Sequence, residues 1–264
     1  MKNHAVIASL AGTHAPGALR HLEQLEAQAL RHEAVHHPYL QALAEGSLPD
    51  PHRGLQDFAR AYEGYSAWFP RFLSAVEARL PEDLRSVLDE NKDEEAGRYD
   101  EETLREFEAA GLRREWVNGI PHPELFRRFQ RGIGVEPGAA VHPASPVARW
   151  REALLALLQS DHPAAAVGAL GLGTELVVSR MYTTVLRAVD RFGRLHPQDR
   201  AFLVLHALVD DAHAASLLEL SARFAVDAEG RAALARGMHA ALGMRASFWE
   251  ELHRRAMSTQ EEAA

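Results

Sequence analysis

The chain has 264 residues, 47% hydrophobic and 25% charged, enough to bury a sizeable core as one large or two small domains. A formal net charge of −8 with no basic block excludes a nucleic-acid binder, and no apolar run in the sequence reads as a bilayer span. Zero cysteines exclude disulfides, thiolate nucleophiles and thiolate metal sites, and the N-terminus makes a poor signal peptide, so the expected location is cytoplasmic.

Residues 17–45 are predicted to be helical, from Leu19, Leu22, Leu25 and Leu30 among charged residues. The helix is disturbed at His36 and His37, because the residue before Pro38 avoids the α region. Residues 46–53, with Pro49 and Pro51, read as a turn. The next helix, about residues 55–78, carries a stripe of Tyr62, Tyr65, Phe69 and Phe72, a pattern that fits core better than pocket. Pro81 then opens a helix that Gly97 closes. Leu84, Leu88, Asn91 and Glu95 share one of its faces while Glu94 is turned far away, so helical phase makes Glu95 the inward carboxylate. Taken singly, both glutamates fit a solvated acidic helix end better.

Residues 98–120 form a charged insert with a short helix stopped at Gly111. Pro123 suits the first turn of a helix whose inner face is Leu125, Phe126, Phe129 and Ile133. His122 lies over that face at the helix start, where a lone histidine is usually a cap. A Pro/Gly/Ala loop at 136–146 leads to a helix around 150–158 and then to a long segment at 164–192. There Gly168, Gly171 and Gly173 lower helix propensity but let a neighbouring helix approach closely. Glu175 is the sole acidic residue between Asp161 and Asp190, in an apolar run, and must be paired, protonated or bound to metal. Two further helices, 197–224 and 229–257, complete the chain. No strand or repeat is credible, and the fold class is all-α, a compact bundle of about seven to eight main helices.

The helix at 197–224 carries the strongest chemical signal. His206, Asp210 and His213 fall within an arc of about 60° at 100° per residue, on the face that also holds Phe202, Val209 and Leu217. Asp211 points nearly the opposite way. Two imidazoles and a carboxylate directed into an apolar interior must be satisfied. Iron or manganese, which take both donor types, would do so; a buried Asp–His pair beside a core histidine is the structural alternative.

Taken together, Glu95, His122-Pro-Glu-Leu-Phe, Gly-Thr-Glu175 and His206-x3-Asp210-x2-His213 resemble the heme-oxygenase-like diiron oxidases and oxygenases, which are related in fold to thiaminase II and pyrroloquinoline-quinone synthase. The similarity runs from about His37 to Ser216, and His-x3-Asp-x2-His is its specific part. The resemblance implies a heme-oxygenase-like domain over residues 1–264, with the insert at about 98–120. It also implies six metal ligands: Glu95, His122, Glu175, His206, Asp210 and His213. In many members the first glutamate and histidine are close in sequence, whereas the insert separates Glu95 from His122 here, which leaves Glu94 or a glutamate of the insert as a substitute.

The implied cofactors are two iron ions, with a manganese–iron pair also accommodated, and dioxygen as co-substrate. The implied partner is a small-molecule substrate; an external electron donor and a homodimer are both compatible with the sequence. Members of the family oxygenate amines, cleave fatty or amino acids oxidatively, or make para-aminobenzoate at their own expense. The last group has a tyrosine where this chain has Thr174, and needs a lysine near the site, whereas the last lysine here is Lys92. Tyr62, Tyr65, Tyr99 and Tyr182 are candidates for radical or hydrogen-bonding roles. Thiamine hydrolysis relies on a cysteine that this chain lacks. A cofactor-free oxidase would have no reason to carry six matched ligands, and a non-catalytic protein could use the cavity or the metal only to hold a ligand.

Overall fold

The computed structural model describes residue 7 and residues 9–139, 141–160, 162–193 and 195–258, with the side chains of 208–214 outside that description. The described residues form helices and no strand; an isolated bridge joins Ala11 and His14. The helices are α1 (Pro16–Arg31), α2 (Glu33–His36), α3 (Pro38–Glu45), α4 (Pro51–Ser66), α5 (Phe69–Glu77), α6 (Asp89–Glu95), α7 (Glu101–Ala109), α8 (His122–Gly132), α9 (Pro146–Leu158), α10 (Pro163–Phe192), α11 (Ala201–Phe224) and α12 (Ala228–Ser258).

The chain is cut into more segments than periodicity alone suggests, and proline is the main reason. The expected helix at 17–45 is interrupted at His32 and His37, both extended, and each ring Nδ1 accepts the backbone N–H two residues on, from Ala34 and Tyr39. The expected turn at 46–53 ends sooner, because Asp50 caps α4 by accepting the Arg53 N–H at 2.9 Å. The expected helix at 55–78 is divided at Ala67 and Trp68, since Pro70 has no N–H to continue the ladder. Pro81 opens a 3-10 turn, Glu82–Leu88, rather than an α-helix, and α6 follows it. Helix α9 starts earlier than expected, at Pro146, capped by the Ser145 hydroxyl.

Helix α10 is the buried axis. Contrary to expectation, its apolar stretch reaches the length and composition of a bilayer span, but 89% of that stretch is buried within the protein. Helices α3 and α11 flank it, and α12 runs along its N-terminal half. That half is not an ordinary α-helix. From Gly168 to Glu175 the backbone widens into π geometry, and the Thr174 hydroxyl donates to the Ala169 carbonyl, five residues back, at 3.1 Å.

The glycines do what their placement suggested. A Cβ on Gly168 would lie 2.2 Å from the Leu234 carbonyl oxygen, and one on Gly237 would lie 1.9 Å from that of Ala165. The α10 and α12 backbones therefore touch directly, a distance open only to residues without a side chain.

Candidate metal centre

Five elements deliver polar side chains to one internal cavity. Glu95 comes from the last turn of α6, His122 from the first residue of α8, Thr174 and Glu175 from the end of the π segment, and His206 from α11. Tyr62 and Tyr65 of α4 and Tyr182 of α10 line the same space, with Phe69, Val178 and Phe202 as apolar wall. Glu95, His122, Glu175 and His206 are each between 2% and 8% exposed. One donor atom from each of Glu95, His122 and His206 lies within 4.8 Å of the others. The cavity measures about 20 Å³, room for ions and water-sized ligands.

His122 faces inward because it shares the face of Leu125, Phe126 and Phe129, all buried. It is not a helix cap: Pro121 occupies that position, and the imidazole turns instead to Glu95, with Nδ1 at 2.9 Å from Oε1. The contact spans 27 residues of chain and draws the two sides of the insert together. His206 is oriented by its own helix. A carbonyl can only accept, so Nδ1–H donates to the Phe202 oxygen at 2.7 Å, and in the neutral ring Nε2 carries the lone pair. The His122 and His206 rings lie 4.6 Å apart, centroid to centroid.

Glu94 departs from the phase expectation. It is as buried as Glu95 rather than turned to solvent. Glu94 follows the buried Asn91 by three residues on the short helix α6, so the buried face of that helix is wide enough to take both glutamates. Glu95 is nonetheless the carboxylate on the cavity wall. Glu95→Gln is therefore expected to lower bound iron sharply and Glu94→Gln to leave it near wild type, read by metal analysis of protein reconstituted without air. The reverse result would reassign the ligand. Asp210 and His213 lie on α11, and their side chains are outside the described residues.

The insert is not a solvated loop. Leu104, Phe107, Leu112 and Val117 are buried, and Tyr99 donates to or accepts from His122 Nε2 at 2.8 Å. Burial, followed by the Glu94 and Glu95 carboxylates, pushes the Tyr99 phenol well above its usual range.

A second feature escaped the sequence reading. Arg245 of α12 is fully buried; its guanidinium donates to Tyr62 Oη at 3.3 Å and Tyr65 Oη at 2.9 Å, and it lies over the Tyr65 and Trp150 rings. The readable signal was a cation in phase with Leu242, Phe248, Trp249 and Leu252 on an apolar face. Since guanidinium only donates, it occupies phenol lone pairs and leaves the Tyr62 and Tyr65 O–H groups to donate elsewhere. Tyr62 and Tyr182 hydroxyls are 3.2 Å apart.

Another cluster, His37, Glu250 and His253, brings potential donors within 4.8 Å. There the His37 Nδ1 lone pair is used by the Tyr39 N–H, so the neutral ring carries its proton on Nε2, toward Glu250. That arrangement is a helix cap with a carboxylate partner.

Converging buried imidazoles and carboxylates fit divalent iron or manganese by donor type. The fold is that of heme-oxygenase-like proteins. The chain is similar to a CADD-like protein of unknown function from Nostoc punctiforme PCC 73102, at 19% identity and TM-score 0.70, covering 91% of this chain and 96% of that one. A domain of unknown function with a heme oxygenase-like fold from Shewanella denitrificans OS217 aligns at 15% identity and TM-score 0.65, covering 91% and 92%. A TenA homolog from Pseudomonas syringae pv. tomato str. DC3000 aligns at 14% identity and TM-score 0.58, covering 90% and 93%. No curated protein sequence matches the chain. The family described as iron-containing redox enzymes matches residues 56–246, and the chain belongs to that family.

Proposed function

We propose that this protein is a non-heme dinuclear iron oxidase or oxygenase that uses dioxygen to oxidise a small organic substrate, by N-oxygenation or oxidative C–C cleavage. The observation that carries this reading is the buried Glu95–His122–His206 cluster, with Glu175 on the same cavity wall, in a chain of an iron-containing redox family. Asp210 and His213, in helical register with His206, would complete the ligand set.

A bound iron pair would supply electrons to dioxygen and oxidising power toward the substrate. The chain's own groups set the conditions for that chemistry. Glu95, His122, Glu175 and His206 would hold the ions, and the Phe202 carbonyl fixes the His206 tautomer. Phe69, Val178 and Phe202 give the cavity an apolar wall on which a small organic substrate could pack. Tyr62, Tyr65 and Tyr182 also line the cavity, Tyr182 with its ring 5.0 Å from that of His206, and burial raises the Tyr65 phenol above its usual range, so it stays a donor at neutral pH. An external electron donor and a small-molecule substrate are part of the proposal.

The small cavity volume favours one rival, a protein that only holds metal. The test is anaerobic loading with iron(II) followed by exposure to air-saturated buffer. The oxygenase reading expects close to two irons per chain, rapid oxygen uptake and a transient optical spectrum. Two irons with no oxygen uptake would favour the protein that only holds metal, and no bound iron would overturn both.

A further inference from the structure

We infer that Tyr99, carried in by the charged insert, is the positioning residue for His122, and that His122 presents Nδ1 to the metal. The inference rests on the metal-centre reading above and adds to it which ring nitrogen binds and what holds the ring.

An imidazole has two nitrogens, and both of those in His122 face protein partners: Glu95 Oε1 at 2.9 Å from Nδ1 and Tyr99 Oη at 2.8 Å from Nε2. An ion bound by the ring must sit on one of these edges. Glu95 lines the cavity together with His206 and Glu175, whereas Tyr99 is not among the residues that line it. The Nδ1 edge therefore faces the cavity and the Nε2 edge faces the insert. The spacing agrees: adjacent donors around an ion with bonds of about 2.1 Å stand about 3 Å apart, so an ion can take Glu95 Oε1 and His122 Nδ1 with little movement. The Nε2–H then donates to Tyr99 Oη, and the ring is held from behind by that bond.

The insert is built to keep Tyr99 in place. Its two ends are joined by the Gly119 N–H donating to the Gly97 carbonyl at 2.7 Å. Gly97 has φ +78°, and a Cβ there would lie 2.5 Å from the Ile120 backbone, so the ends meet at a contact open to glycine. Phe107, fully buried, packs edge-on against the Tyr99 ring at 5.0 Å. The segment that separates two candidate ligands in sequence is thus the support of one of them.

The experiment measures cobalt(II) affinity for wild type and Tyr99→Phe by competition with a chelating dye. It also records the His122 ring nitrogens by long-range 1H–15N correlation of zinc(II)-loaded wild type. Tyr99→Phe keeps the ring that packs on Phe107 and removes the hydroxyl. The expected results are affinity weakened by about 10- to 100-fold at an unchanged melting temperature of the metal-free protein, and a His122 signal with zinc on Nδ1 and the proton on Nε2. Unchanged cobalt affinity in Tyr99→Phe, or zinc on Nε2, would overturn the inference while leaving the metal centre standing. A wild-type chain that takes neither ion would overturn the metal centre and this inference with it.

Discussion

The double substitution His122→Ala/His206→Ala is expected to abolish iron binding, leaving well under one ion per chain where wild type approaches two. The two rings come from different helices, α8 and α11, and stand 4.6 Å apart across the cavity, so each contributes a donor that no neighbour can replace. Removing both leaves the carboxylates with His213 as the one imidazole of the proposed set, a donor set closer to that of magnesium or calcium than to that of iron. Stability should report the same loss. Metal that binds only the folded state stabilises it by about 2.7 kcal/mol at a hundredfold excess over the dissociation constant. Iron(II) should therefore raise the melting temperature of wild type and leave that of the double variant unchanged. Full stoichiometry in the variant would show that the ions are held elsewhere.

The largest effect on folding is expected from Gly237→Ala. Its Cβ would sit 1.9 Å from the Ala165 carbonyl oxygen, and that oxygen belongs to the backbone of α10, which cannot rotate away as a side chain can. Overpacking of this kind costs about 1–3 kcal/mol and more when backbone must move, against a helix-propensity gain below about 1 kcal/mol. A net loss of about 2 kcal/mol follows, read as a lower urea midpoint with little change in slope. Gly243, on the same helix, has nothing within 4 Å of its would-be Cβ, and Gly243→Ala should stabilise by about 0.5–1 kcal/mol. Equal effects at the two positions would refute the close-approach argument. Because α10 also carries Glu175 through its π segment, partial unpacking at Gly237 should weaken metal binding as well.

Local pattern was enough to determine the helical class, the inward face of α8, the close approach at the α10 glycines and the burial of Glu175 in an apolar run. These are consequences of side-chain spacing at 3.6 residues per turn and of the absence of a Cβ, and both can be read from a single segment. Helical phase puts Glu95 inward, but Glu94 is buried as well, because it follows the buried Asn91 by three residues on a short helix packed on more than one side. Only the tertiary structure decided that Glu95 and His122 meet, since their contact depends on how the insert folds back between Gly97 and Gly119. The same holds for Tyr99 behind His122 and for Arg245 beneath Tyr62 and Tyr65, which come from segments far apart in the chain. Helical periodicity specifies which face a residue occupies; which other face it meets is set by the packing of the whole core.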